Sequence, residues 1–186
     1  MSKGQITRRL KVNLSELEEA FEDTSWERSY YLDLETGETV MVTEEIRQQL
    51  EQIYEEAPPE EIAGEEVDIT PILNRLSLPE WEKDALREAN QIEQSFGVRY
   101  ISVPHAQSSD AYGDMEEFIT AVRNQRLQDR LWQAISGQRP FRRFKDVLAD
   151  NPIERERWFS FNESRLRERV LEWLEEEGIE PIEGPQ

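Results

Sequence analysis

The hydrophobic period of this chain changes partway along, and that change limits the folds open to it. Around Glu35-Thr36-Gly37-Glu38, the flanks are Tyr30, Tyr31, Leu32, Asp33 and Leu34 on one side and Thr39, Val40, Met41 and Val42 on the other. Aromatic, aliphatic and β-branched runs on either side of a Gly-bearing turn predict a β-hairpin, with Gly37 at the position that needs positive φ. From Ser109 onward apolar residues recur at helical spacing instead: Tyr112, Met115, Phe118, Ile119 and Val122, then Leu127, Leu131 and Ile135. Strands early and helices late read as α+β, a small antiparallel sheet of the hairpin plus one further strand with a mostly helical C-terminal half.

The boundaries follow from caps and breakers. Asn13-Leu14-Ser15-Glu16 has capping-box form and opens a helix over 14 to 23, and Thr43 caps another carrying Ile46, Leu50, Ile53 and Tyr54. Residues 55 to 68 combine Glu with Pro and Gly, show no apolar stripe, and read as an acidic loop or linker. Ser77-Leu78-Pro79-Glu80 predicts a capped helix through Trp81, Leu86, Ala89, Ile92 and Phe96 to Gly97, and Val98 to Pro104 alternates like a third strand. Gly137 reads as the residue just past a helix end, and Pro140 opens the next helix, with Phe141, Phe144 and Leu148 facing inward. Asn151-Pro152 starts another helix. A last one over 163 to 177 turns Leu166, Val170, Leu171, Trp173 and Leu174 inward and stops at Gly178. At 186 residues the chain is expected to form a single domain, 1–186, with 179–186 as a frayed tail.

The sequence holds no cysteine, which excludes disulfides, thiolate nucleophiles and Cys-based metal centres. No apolar run approaches the ~18 residues of a membrane span, and the basic N-terminus has no apolar region after it, so the expectation is a cytoplasmic chain with no membrane partner. One histidine cannot build a His-rich metal site, and the acidic turn at 33 to 38 lacks the length and glycine position of a calcium loop. No metal and no cofactor are expected.

Charge divides unevenly. Residues 121 to 170 hold 12 Lys/Arg against 7 Asp/Glu, a net +5, whereas the rest carries −24 of the total −19. Such asymmetry speaks to partners rather than to fold. At its centre lies Gly137-Gln138-Arg139-Pro140-Phe141-Arg142-Arg143-Phe144-Lys145-Asp146.

Several strings resemble the uncharacterised bacterial family numbered 0158 in the UPF series: Tyr30-Tyr31-Leu32-Asp33 with Thr36-Gly37-Glu38, then Arg99-Tyr100-Ile101-Ser102-Val103-Pro104, then Met115-Glu116-Glu117-Phe118-Ile119. Phe141-Arg142-Arg143-Phe144-Lys145-Asp146-Val147-Leu148 follows and is the most specific, then Trp158-Phe159-Ser160-Phe161 and Glu172-Trp173-Leu174. The resemblance spans most of residues 28 to 180, with Pro140 standing where the family pattern has Ala. It implies no activity for any residue.

Function therefore has to be read from residues. The basic segment admits three readings: an ordinary amphipathic helix with a solvated cationic face, an anion- or partner-binding surface of Arg139, Arg142, Arg143, Lys145, Arg155 and Arg157, or self-recognition between the basic face of one copy and the acidic face of another. The second leads, as a non-enzymatic binding module for an acidic protein or anionic ligand. An RNA-associated protein is an alternative, opposed by the net charge and by aromatics expected to point inward. Another is a small hydrolase or phosphate-processing enzyme using His105, a secondary candidate because it follows a strand end. No convergent catalytic constellation accompanies it, so no catalytic residue is assigned.

Overall fold

The computed structural model describes residues 8–64 and 66–183. In chain order the elements are β1 (Arg8–Val12), α1 (Leu14–Glu22), β2 (Arg28–Asp33), β3 (Thr39–Thr43), α2 (Glu44–Glu56), α3 (Thr70–Arg75), α4 (Glu80–Gln94), β4 (Tyr100–Val103), α5 (Ser108–Thr120), α6 (Gln125–Ile135), α7 (Pro140–Ala149), α8 (Pro152–Glu176) and β5 (Ile179–Glu183). The fold is α+β with a helical C-terminal half. Where the sequence reads as one domain, contacts divide into two compact units, Met1–Pro104 with Leu174–Gln186, and His105–Trp173. Among the described residues no helix is long and apolar enough to cross a membrane.

The first unit is built on the hairpin. β2 pairs antiparallel with β3 and, on its other edge, with β4, so the sheet order is β3-β2-β4. Val42, Ile46, Leu50, Leu73, Leu86 and Ile92 bury one continuous cluster contributed by β3, α2, α3 and α4. Asn13 caps α1 as its sequence predicts, accepting from the amides of Ser15 and Glu16, and Thr43 Oγ1 accepts from Ile46 N at the start of α2. A second, parallel pairing joins β1 to β5, with Leu10 opposite Pro181. Ile179–Glu183 is thus a strand rather than part of a frayed tail; its sequence, Ile-Glu-Pro-Ile-Glu, carries a proline that a strand tolerates at a sheet edge. Residues 184–186 of that expected tail and the basic segment 1–7 lie outside the described residues.

Two features at the hairpin turn hold this unit. Gly37 has φ 80, and a Cβ there would lie 1.8 Å from the carbonyl oxygen of Lys11, so the turn is pressed against β1. Beside it, Asp33 is buried. Its carboxylate accepts from the Glu35 and Thr36 amides at 2.8 and 3.4 Å and from Arg99 Nη2 at 2.7 Å, closing the turn onto the residue just before β4. Burial alone would raise the Asp33 pKa, but the Arg99 guanidinium and the two amides outweigh it and hold the carboxyl below its ordinary value.

The second unit packs α5, α6, α7 and the first part of α8 around Met115, Phe118, Ile119, Leu131, Phe144, Leu148 and Trp158. Phe118, Phe144 and Trp158 meet edge to face, with centroids 6.2, 5.2 and 4.8 Å apart. Buried Asp114 on α5 takes Arg165 Nε at 3.2 Å and Arg169 Nη2 at 2.6 Å, both from α8.

Several expectations need correction. The α4 helix starts at Glu80, with Pro79 in the cap position and no side-chain cap bond, since proline has no side-chain acceptor and Ser77 lies two residues before the cap. Trp81 and Phe96, placed on its inner stripe, are exposed at 68% and 57%. Phe141 is likewise partly exposed, at 39%, since it sits on the first turn of α7, where only Phe144 and Leu148 reach the core. Leu171 is partly exposed as well. The two helices read after Asn151 are one 25-residue helix, as nothing between Pro152 and Glu176 breaks the backbone. The α3 helix was not legible: six residues are too few to show a period.

Three outcomes are expected. Gly37→Ala should cost at least about 1–2 kcal/mol from the left-handed backbone alone, and more from the collision with Lys11, measured by urea titration. Phe144→Ala should cost about 3–5 kcal/mol in the same assay. The stability Asp33 contributes is present above the unfolded carboxyl value of about 3.9 and is lost as pH falls through its lower folded value. Arg99→Gln should therefore move the onset of acid unfolding, followed by circular dichroism, to higher pH.

Candidate functional site

The second unit is electrically neutral, with 12 Lys/Arg against 12 Asp/Glu, while the first, with 10 against 29, carries the whole net charge of −19. Within the neutral unit the cations of α8 and those around the start of α7 differ, while on α6 Arg130 pairs with Asp150 at 3.5 Å. Those of α8 are compensated. Arg165 and Arg169 hold Asp114, Arg165 also reaches Glu117 at 3.3 Å and Glu168 at 2.9 Å, and Arg157 grips both oxygens of Glu154 at 2.9 and 2.8 Å. Arg155 lies 4.0 Å from Glu156, at the limit of an ion pair.

Those of α7 are not compensated. Arg139, Arg142, Arg143 and Lys145 are all exposed, and among the described residues none has a side-chain hydrogen bond or ion pair. The amphipathic geometry of α7 explains their position: Phe144 and Leu148 anchor one face in the aromatic cluster, so Arg142 and Lys145 must face water. Arg139 precedes the helix in the left-handed conformation (φ 55, ψ 54), and its carbonyl accepts from Arg143 N at 3.1 Å. That conformation costs a non-glycine residue on the order of 1–3 kcal/mol. Gly137 takes no positive φ; within the α6–α7 connection the left-handed residue is Arg139.

The six sequence candidates are therefore divided. Arg139, Arg142, Arg143 and Lys145 are exposed together around the start of α7, Arg157 is occupied by Glu154, and Arg155 sits on α8 beside Glu156. His105 is exposed on the connection between β4 and α5 and does not line the cleft described next.

An open cleft of about 270 Å³ lies between α6 and α7, lined by Arg130, Gln133, Ala134, Arg143, Asp146 and Val147. It offers two guanidinium groups, an amide and a carboxylate above two small apolar side chains. Sequence reasoning missed Arg130 and Gln133. The indication was available: with only 136 to 139 joining the helices, an αα-hairpin sets the last turns of α6 beside the first turns of α7. Among the described residues no group of three or more His, Asp or Glu side chains is placed to hold a metal ion.

The model of an uncharacterised protein family, UPF0158, matches residues 68–184, a stretch that contains the whole of this site. A relative, the UPF0158 protein PA5073 of Pseudomonas aeruginosa strain PAO1, is 31% identical over 103 residues, covering 55% of this chain and 63% of the relative's own length. No solved structure matches the chain. The family match covers more than half of the sequence, and its range embraces the α7 string that is the most specific in the chain; the protein belongs to the uncharacterised family UPF0158.

Proposed function

We propose that the protein is a non-enzymatic binding module whose α7 face engages an acidic protein partner. The observation that carries this reading is the contrast in charge compensation. In a chain with 41 acidic residues, the arginines of α8 are paired, whereas four cations around the start of α7 carry exposed, unpaired charge. Solvated single cations are ordinary. Four at one helix start form a local positive field on a protein that otherwise repels anions; Arg130 in the adjoining cleft is paired with Asp150 at 3.5 Å and adds no uncompensated charge. A second copy of the chain has an acidic unit of suitable sign, so self-recognition is one form the partner can take.

A second reading has one specific observation in its favour. Phe141 is partly exposed and directly precedes Arg142, a pairing suited to a stacked base and its phosphate. The net charge of −19 counts against RNA at long range. The hydrolase reading gains nothing, since His105 stands outside the cleft.

Arg142→Glu with Arg143→Glu tests the proposal. Neither side chain is bonded to an acid, so thermal stability should change by no more than about 1 kcal/mol, while binding to acidic protein, measured by anisotropy at low and physiological salt, should be lost. Loss of stability with binding retained would identify the two arginines as internal counter-charges and overturn the proposal. Binding that is abolished by ribonuclease would transfer the site to the RNA reading.

A further inference from the structure

Gly137 lies against the end of the Arg143 side chain. An ideal Cβ on Gly137 would sit 2.2 Å from Arg143 Nη1 and 3.5 Å from its Cζ, so any other residue there would displace the tip of the Arg143 side chain from its place beside the α6–α7 connection. The backbone does not require a glycine there, since Gly137 is not among the positive-φ residues. Arg143 lines the cleft while making no ion pair, and the glycine leaves the space that its guanidinium occupies. Asp146, one helical step away on the same cleft wall, is also unpaired among the described residues.

Resting on the proposed function above, we infer that the cleft takes a glutamate side chain from an acidic peptide segment of the partner, and that Gly137 is the positioning residue that aims Arg143 at it. The lining chooses among anions. A planar carboxylate matches the fork of Arg143 with two parallel N–H donors; Gln133 adds a further donor, and Arg130, whose Nη2 lies 3.5 Å from Asp150 Oδ2, has other N–H groups to offer. Asp146 repels a dianion more than a monoanion, which disfavours phosphate, and it can accept from the backbone N–H groups that a peptide brings along with its carboxylate. Ala134 and Val147 offer an apolar floor for the aliphatic stem of glutamate. The surrounding Arg139, Arg142 and Lys145 would attract the neighbouring acidic residues of the same segment.

The test is a double-mutant cycle read by titrating a short fluorescent oligoglutamate peptide into the full chain, with inorganic phosphate and single-stranded RNA as competing probes. Gly137→Ala should weaken peptide binding by about tenfold, a change of about 1.4 kcal/mol, with the melting temperature equal or higher. Arg143→Gln should weaken it by at least as much. In the Arg143→Gln background, Gly137→Ala should have no further effect, because it acts only through that side chain. A merely structural glycine would instead lower the melting temperature or act additively, and either result overturns the inference. If Gly137→Ala binds like the parent while Arg142→Glu with Arg143→Glu does not, the positioning role fails and the proposed function stands. No peptide binding by the parent overturns both. Stronger competition by RNA or phosphate than by unlabelled peptide overturns the choice of carboxylate. Concentration-dependent self-association abolished by Arg143→Gln would make the occupant a second copy and overturn an external segment.

Discussion

The contact among Phe118, Phe144 and Trp158 sets what the second unit can present. Three rings from α5, α7 and α8 meet edge to face within 6.2 Å, the arrangement favoured by the charge distribution of aromatic rings. Once Phe144 is fixed, the rotation of α7 is fixed. Residues one position before and after it lie about 100° to either side of the core direction, so Arg143 turns to the flank that lines the cleft and Lys145 to the opposite flank. The exposed placement of these cations is thus a geometric consequence of one buried phenylalanine, in the same way that the cleft is a consequence of the short α6–α7 connection.

Charge compensation separates scaffold from surface. Asp114 is buried and would be costly alone; two guanidinium groups from α8 make it tolerable and fasten α8 to α5. In the first unit, Arg99 does the same for Asp33 and ties the hairpin turn to β4. These arginines act inward. That the block from 121 to 170 is basic overstates the available positive surface, because Arg157, Arg165 and Arg169 are committed to acids. What remains unpaired is concentrated where α7 begins.

Much of this was readable from the sequence, for identifiable reasons. The hairpin, the third strand, the cap at Asn13, the helix that follows from Thr43, and helices α5 to α7 all declare themselves through short-range rules of period and capping. Failures arose where long-range contacts decide. Nothing local tells that Ile179–Glu183 will pair with Arg8–Val12, since the partners are separated by most of the chain. Periodicity assigned Phe141 to the core because its spacing to Phe144 is helical, yet the first turn of a helix often overhangs the residues it would pack on. The site was half legible: its cations stand out as a string, while Arg130 and the glycine that makes room for Arg143 emerge only when α6 and α7 lie side by side.

The parallel pairing of β1 with β5 also bears on how the protein is made. The first unit is closed by strands from the two ends of the described sequence, and the whole of the second unit is inserted between them. During synthesis from the N-terminus, β1 is exposed long before its partner exists, with an open row of backbone donors and acceptors. Unpaired edges of that kind invite pairing with other chains, and charged side chains along the edge discourage it. Arg8, Arg9 and Lys11 occupy three of the five positions of β1, so the strand that waits longest for its neighbour carries like charges that keep other copies of itself away.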